Sequence, residues 1–523
     1  MGAAQVLEPA ASKQGERFFS NVLWNWSQVA VTLFSAIILS RYIIRKLGPE
    51  GYGLWQLSYS MIGYYNLLDL GFRSAVVFYS ARYRTRGEYS ALNEMLSTLL
   101  VYFSAVAIVL IAVSALVSRE AYRFFPVSAV YRDDFAKLVF IIGVSISTAI
   151  VFNVFSGLVE GFQRFDLANQ IRIVSFVVRY FGCALLLYFG YGLVAMGLIA
   201  FISVMLLNGL YIVISRRVFP EMRLSFRLVN RQAWMRTASY GVHTFVAGMA
   251  NTTLEQSPSL VIGHLRGGAA VGFYNLPLRI LQYAADAVSR VGIVVAAQAA
   301  EFTARARLDL VAKLAIYANR YCFTLYAPLA IVVLVYGREL IQLWVGAAFV
   351  TNSAPLLPIF LAGTAFAMAG QFSSSTVLFG MGKHRGYAYA LLSEACLNIV
   401  GMIVIMPRFG LVGAAVVAAV LMIAVRGIIT PWLACRQLDF PFLRYLRLIF
   451  ERPLLIAIPI LLLTYWCKLK LWPGTNWIQL ISVSVLVGTV YWAAAYMICL
   501  EPEHRLLLLK WVSARRLRNV TAG

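Results

Sequence analysis

Residues 45–73 read RKLGPEGYGLWQLSYSMIGYYNLLDLGFR: a Gly/Pro turn, then a long apolar run that carries an Asp and an Arg four residues apart. In a helix, positions i and i+4 share a face, so Asp69 and Arg73 can pair while pointing the same way. The surrounding sequence reads as lipid-embedded, where an ionisable side chain costs about 2.5–3.5 kcal/mol on insertion scales and therefore faces a cavity or a partner. Residues 264–290, HLRGGAAVGFYNLPLRILQYAADAVSR, repeat the pattern. Gly272 follows Gly53 by 219 positions, Leu276 follows Leu57 at the same interval, and Asp286–Arg290 repeats Asp69–Arg73. Gly161 in GLVEGFQRF and Gly380 in LFGMGKHR are again 219 apart, and FGYGLVAMG (189–197) matches RFGLVGAA (408–415) at nearly that offset. The chain is a duplicated membrane unit.

Composition bounds the class. Of 523 residues, 61% are hydrophobic and 13% charged, with a mean hydropathy of +0.76. A soluble chain does not keep so many apolar runs of about 18 residues or more. The first run begins near Phe18, is too long for a signal-peptide core and has no small-residue cleavage site after it, so a retained helix is expected. The net charge of +23 does not indicate nucleic acid, because the basic residues sit in short loops between apolar spans. Six cysteines are scattered without CxxC spacing and four histidines are widely separated. Neither a disulfide framework nor a metal site is expected.

The pattern predicts an all-α polytopic protein with about fourteen transmembrane helices. Spans fall near 18–44, 51–80, 91–117, 136–159, 171–189 and 191–214, then 237–262, 272–300, 313–336, 352–380, 386–406 and 410–433, and last 453–470 and 476–500. Residues 1–225 and 226–440 each form a six-helix bundle, 441–500 two additional helices and 501–523 a basic tail. An even number of spans per unit relates the bundles by a pseudo-two-fold axis along the membrane normal. Lys and Arg on the N-terminal side of the loops outnumber those opposite by roughly two to one, which puts both termini in the cytoplasm of a cell with the protein in its inner membrane.

Polar residues cluster on inner faces. Asn21, Asn25, Gln28, Thr32 and Ser35 stripe the first span, and Thr244, Asn251 and Glu255 the seventh; such stripes serve interhelical hydrogen bonds or a ligand. Arg279, Asp286 and Arg290 fall within about 20° of one line on a 3.6-residue helix. With Asp69 and Arg73 they direct arginines and aspartates toward a central cavity, either as mutual neutralisation or as an anion site, since Arg offers a donor fork suited to phosphate. Arg320 and Arg179 either add to that site or snorkel, and Arg426, placed near the cytoplasmic end of its span, snorkels. Glu255 and Glu394 have no sequence neighbour of opposite charge and are candidates for coupling to a proton or sodium ion, or for pairing with an arginine of another helix. No Walker motif, GxSxG, HExxH or loop of ATPase size is present, so no cofactor and no enzyme activity are expected.

RKLGPEGYGLWQL, then LLDLGFRSA, then VIGHLRGGAAVGFYNL, with GFQRF and GMGKHR after the fourth and tenth spans, resemble polysaccharide-biosynthesis flippases of the multidrug/oligosaccharidyl-lipid/polysaccharide exporter superfamily. The resemblance covers most of the first 440 residues. It implies two facing bundles with alternating access between them and a lipid-linked oligosaccharide substrate, an undecaprenyl-pyrophosphate glycan for surface polysaccharide. Polysaccharide polymerase and glycosyltransferases are the implied partners, beside membrane lipids. Arg73, Arg290 and Arg279 would hold the pyrophosphate, positioned by Asp69 and Asp286, with Arg320, Arg179, Asn25 and Asn251 as further contacts. One departure stands out: Glu255-Gln256-Ser257-Pro258 occupies the place where such flippases often carry an Asp. The rivals are an ion-coupled multidrug/toxin cation antiporter, which wants a net acidic or aromatic cavity, and a polyprenyl-linked glycosyltransferase or ligase, which wants a larger external loop than 118–135.

Overall fold

The computed structural model describes residues 38–69, 72–289, 292–474 and 476–505. Among the described residues every regular element is helical, and eight helices are long and apolar enough to cross a membrane. Part of the difference from fourteen spans is visible at Gly410. Its φ of 61° and ψ of −149° interrupt one helical run in which the expected spans 386–406 and 410–433 both lie. The expected first span, 18–44, falls mostly outside the described residues.

The chain packs as two compact units, Met1–Phe273 and Tyr274–Gly523. The first holds α1 (residues 38–63), a 3-10 turn Tyr64–Asp69, α2 (Phe72–Arg86), α3 (Tyr89–Phe124), α4 (Arg132–Gly161), α5 (Phe165–Tyr188), α6 (Leu193–Val218) and most of α7 (Arg231–Ser289). The second continues with α8 (Gly292–Ala304), α9 (Leu308–Val345), α10 (Ala347–Ser353), α11 (Leu356–Gly380), α12 (Arg385–Leu421), a π-helix Met422–Ile429, α13 (Thr430–Leu438), α14 (Phe442–Lys470) and α15 (Trp477–Ile498). The packing boundary lies inside α7, well beyond the 225/226 junction of the sequence repeat. The reason is local: Gly268 and Gly272 lie against Leu54, Pro49 and Tyr52 of α1.

The duplication is written into the backbone. Left-handed residues recur at the 219 offset, as Gly48 and Gly267 (φ 68° and 80°), Gly87 and Ala306 (69° and 56°), and Gln163 and Gly382 (60° and 69°). The helix-closing bonds recur with them. Arg164 N donates to Val159 O (3.1 Å) as Lys383 N donates to Leu378 O (2.9 Å), and Glu88 N to Tyr83 O (3.0 Å) as Arg307 N to Phe302 O (2.9 Å). A left-handed residue at a helix end satisfies otherwise orphaned carbonyls, so the same stop is used in both copies.

One packing device in each unit sets the spacing of its charged helices. The G-x-x-x-G of GLVEG (157–161) lets α4 press on α2. A Cβ on Gly161 would lie 2.7 Å from Ser80 Cβ and 2.8 Å from Val77 O, and one on Gly157 2.9 Å from Val76 Cγ1. Close backbone approach of this kind is how transmembrane helices associate without a hydrophobic driving force. In the second unit, fully buried Asn319 ties three helices together. Its Nδ2 donates to Gly370 O (3.1 Å), Ser374 Oγ (3.1 Å) and Tyr445 OH (2.9 Å), and its Oδ1 accepts from Ser373 N (2.7 Å). The two C-terminal helices belong to this unit's core, where Ile331 and Tyr336 of α9 pack with Ile456 of α14 and Val483, Val487 and Tyr491 of α15.

Candidate functional site

Close packing of α2 on α4 delivers Arg73, the second residue of α2, to Glu160, the penultimate residue of α4. Arg73 Nη2 donates to Glu160 Oε1 at 2.7 Å. Arg172, two turns into α5, donates from its Nη2 to the same oxygen and from Nη1 to Asn169 Oδ1 (3.3 Å). Glu160 is 12% exposed, whereas Arg73 and Arg172 keep 40% and 31%. One carboxylate thus holds two guanidinium groups, and both arginines reach the surface of the unit. Helix spacing explains why the sequence hid this. Glu160 lies 87 residues from Arg73, and the nearer carboxylate, Asp69, was the natural partner on local spacing. The one signal was a carboxylate inside a G-x-x-x-G motif. Arg172, the second residue of the expected span 171–189, is a helix residue of this cluster.

Arg179 stands two turns farther along α5, about 10 Å from Arg172 on nearly the same face. Its Nη2 donates to Tyr59 OH at 2.6 Å, and its guanidinium lies 5.1 Å from the Tyr59 ring and 6.0 Å from that of Trp55. Trp55 and Tyr59 meet edge to face at 5.0 Å. Among the described residues Arg179 has no carboxylate ion-pair partner, and aromatic faces supply the stabilising field.

Arg320 is committed within the second unit. It is 2% exposed, donates from Nε to Leu448 O (2.8 Å) and from Nη1 to Glu501 Oε1 (2.9 Å), and shares that oxygen with Arg452 Nη1 (2.8 Å). Its donors are spent on anchoring the segment after α15. Beside this anchor is a cavity of about 430 Å³ lined by Lys313, Tyr317, Glu501, Glu503 and His504 among others. Glu394 is not isolated either: it is 1% exposed and accepts from Arg426 Nε at 2.9 and 3.1 Å. Arg426 lies about 18 Å along the helix axis from the Leu438 end of its segment and is paired with this buried carboxylate. Asn251 and Glu255 are exposed on the α7 portion of the first unit, and Arg279 is exposed in the second. Asn25 and Arg290 lie outside the described residues, as do the side chains of Asp69 and Asp286.

Comparison with known proteins bears on the family and the fold. A Shigella flexneri protein named as a candidate O-antigen transporter is 22% identical over 403 residues, covering 76% of this chain and 93% of its own. An uncharacterized membrane protein of Methanocaldococcus jannaschii is 22% identical over 272 residues, 50% of this chain and 52% of its own. The fold is that of the lipid II flippase MurJ in an inward closed conformation, with TM-score 0.70 and 14% identity over 91% of this chain and 98% of that one. An inward-facing multidrug resistance MATE family transporter of the MOP superfamily superposes with TM-score 0.68 and 13% identity, over 78% and 94%. The model of the family described as polysaccharide biosynthesis protein matches residues 18–300, more than half of the sequence. The chain belongs to the polysaccharide biosynthesis protein family.

Proposed function

We propose that this protein translocates a polyprenyl-pyrophosphate-linked oligosaccharide across the cytoplasmic membrane by alternating access, supplying surface polysaccharide assembly. The observation that carries the reading is the Arg73–Glu160–Arg172 cluster, two partly exposed guanidinium groups gathered on one carboxylate within a helical membrane unit. A pyrophosphate offers several anionic oxygens to two guanidinium forks, each charge-assisted bond contributing about 1.5–3 kcal/mol. Glu160 keeps the two forks convergent between turnovers and competes with the phosphate for them, so the headgroup is released as well as captured. Binding tight enough to hold the substrate in every state would slow transport.

Arg279, Arg290 and Asn251 remain candidates for further substrate contacts, and Arg179 with its Tyr59–Trp55 surface suits a sugar or phosphate beyond the first cluster. Glu255, an exposed carboxylate, is the candidate for a coupling proton or sodium ion, whereas Glu394 would have to leave Arg426 to serve. Under the positive-inside distribution both termini are cytoplasmic, which puts the Arg73–Glu160–Arg172 cluster near the cytoplasmic mouth, where a substrate made in the cytoplasm enters. Polysaccharide polymerase and glycosyltransferases are the partners this role implies.

The test is translocation of a fluorescent polyprenyl-pyrophosphate oligosaccharide in proteoliposomes, with an organic-cation efflux assay beside it. R73Q/R172Q should lose glycolipid movement while keeping wild-type yield and a monodisperse elution profile. Undiminished glycolipid movement in that double variant refutes the assignment of the site. Gradient-driven cation efflux without glycolipid movement by the wild type transfers the protein to the antiporter reading.

A further inference from the structure

Pyrophosphate capture by Arg73 and Arg172 leaves a second buried charge pair without a task. Arg426 sits at the centre of the π-helix Met422–Ile429, a wide turn that recurs at functional sites because the extra residue re-aims its neighbours. The register is held on both sides. Thr430 Oγ1 donates five residues back to Val425 O at 2.8 Å, and Gly370 of α11 lies so close that a Cβ there would be 2.7 Å from Arg426 O. With its backbone pressed on α11, the Arg426 side chain reaches Glu394 of α12. It does so through Nε alone, at 2.9 and 3.1 Å to the two carboxylate oxygens. Among the described residues neither Arg426 Nη has a hydrogen-bond partner, and the side chain is 23% exposed against 1% for Glu394. The carboxylate is therefore a buried brace and the guanidinium fork the accessible part. Tyr387, within electrostatic reach of both charges, accepts from Gln371 Nε2 at 2.6 Å and extends the polar surface.

We propose that Arg426, braced by Glu394, is a sugar-recognising residue of the second unit, its two Nη groups offered to hydroxyl oxygens of the translocated glycan. The inference rests on the reading of the substrate as a lipid-linked oligosaccharide. Charge decides between sugar and phosphate. The Arg426–Glu394 pair is one guanidinium on one carboxylate, so it presents strong directional donors without the net positive field that a pyrophosphate requires, whereas the Arg73–Glu160–Arg172 cluster gathers two guanidinium forks on one carboxylate. Glu394 acts through Arg426 and is a positioning residue.

The experiment measures binding of two probes to the purified full-length protein, a polyprenyl-pyrophosphate oligosaccharide and the same polyprenyl pyrophosphate without sugar. The paired variant R426Q/E394Q leaves no lone charge buried, and its fold is checked by thermal melting. It should bind the glycolipid about tenfold or more weakly, the loss expected for charge-assisted hydrogen bonds, while its affinity for the sugar-free lipid stays unchanged. E394Q alone unmasks the arginine and should bind the sugar-free pyrophosphate more tightly than wild type. R426K, which keeps the charge and loses the fork, should resemble the double variant with glycolipid. Equal weakening toward both probes, or no change toward either, overturns the proposal. Wild-type protein that binds the glycolipid no better than the bare lipid overturns it while leaving pyrophosphate recognition standing. Wild-type protein that binds neither removes the flippase reading itself, and this proposal with it.

Discussion

Adding one methyl group at Gly53 is the sharpest perturbation the structure offers. A Cβ there would stand 1.7 Å from Gly268 O, 2.5 Å from Gly268 C and 3.0 Å from Gly272 N. Ordinary contact begins near 3.4 Å, so residues 47–53 and 264–272 must part by about 1.7 Å, and all three clashing atoms are backbone. They are not free to part. Tyr131 OH donates to Leu47 O (2.9 Å), Ser128 N to Glu50 Oε1 (2.9 Å), and His264 Nδ1 lies 2.7 Å from Phe124 O, so the segment 124–131 straps both partners. Overpacking costs about 1–3 kcal/mol, and backbone against backbone belongs at the upper end. A penalty of about 3 kcal/mol lowers the population of the state in which these helix ends touch by roughly a hundredfold relative to any state in which they separate. Under the proposed orientation this is the outer end of the unit, so G53A should expose it. The assay is labelling of an Ala269→Cys reporter, in a background freed of the native cysteines, by a membrane-impermeant maleimide, with glycolipid translocation measured in parallel. Labelling should rise and translocation fall. The neighbouring positions supply the ranking. A Cβ on Gly272 meets Pro49 O at 2.9 Å, while one on Gly268 meets Leu54 side-chain atoms at 2.9 Å, which can rotate away, and backbone only at Glu50 O, at 3.4 Å. The effects should run G53A, then G272A, then G268A. Unchanged labelling, transport and melting temperature in G53A would refute the reasoning.

Four further outcomes are expected. Glu160→Gln removes the competitor for both arginines, so glycolipid should bind more tightly while its maximal translocation rate falls; the opposite pairing of effects, read by binding and by proteoliposome kinetics, sinks the role assigned to Glu160. Asn319→Ala strips four hydrogen bonds from a fully buried junction of α9, α11 and α14 and should cost at least ~2 kcal/mol, visible as a lowered melting temperature in detergent. At Glu501 burial acts to raise the carboxyl pKa, but the Arg320 hydrogen bond and the Arg452 charge outweigh it and hold the group below its ordinary 4.5. A carboxylate depressed in the folded state contributes stability that is complete above its unfolded value and lost as pH falls through the folded one. Melting temperature should therefore drop as pH goes below about 4.5; E501Q should flatten that dependence and, by stranding buried Arg320, cost up to about 3 kcal/mol at neutral pH. Reporter fusions should place both the N- and C-termini in the cytoplasm, and a periplasmic terminus would reverse the orientation inferred from the loop charges.

The sequence speaks unevenly about this structure. The duplication was legible because it is carried by turn residues. Gly48 and Gly267 announce a left-handed backbone by composition, and the matching stops at Gln163 and Ala306, which do not, are found by counting 219 positions from Gly382 and Gly87. Arg73 and Glu394 were legible as costly groups needing a partner. Their partners were not: Arg73 meets Glu160 across 87 residues and Glu394 meets Arg426 across 32. Helix periodicity relates residues three and four apart and is silent about which helix lies alongside.

Hydropathy, the spacing of apolar runs and the repeat thus determined a polytopic helical membrane protein whose ionisable residues within apolar runs need partners, because water-to-lipid transfer energies act on each residue wherever the chain leads it. Which charges meet was decided by tertiary packing alone. The close approaches at Gly157, Gly161, Gly370 and Gly53 set the distances between helix axes, and those distances choose each arginine's counter-ion. They sent Arg320 to the C-terminal anchor and Arg426 to a buried brace, and they left two arginines sharing one glutamate, because a charge in a low-dielectric interior is worth most where a partner lies within hydrogen-bonding reach.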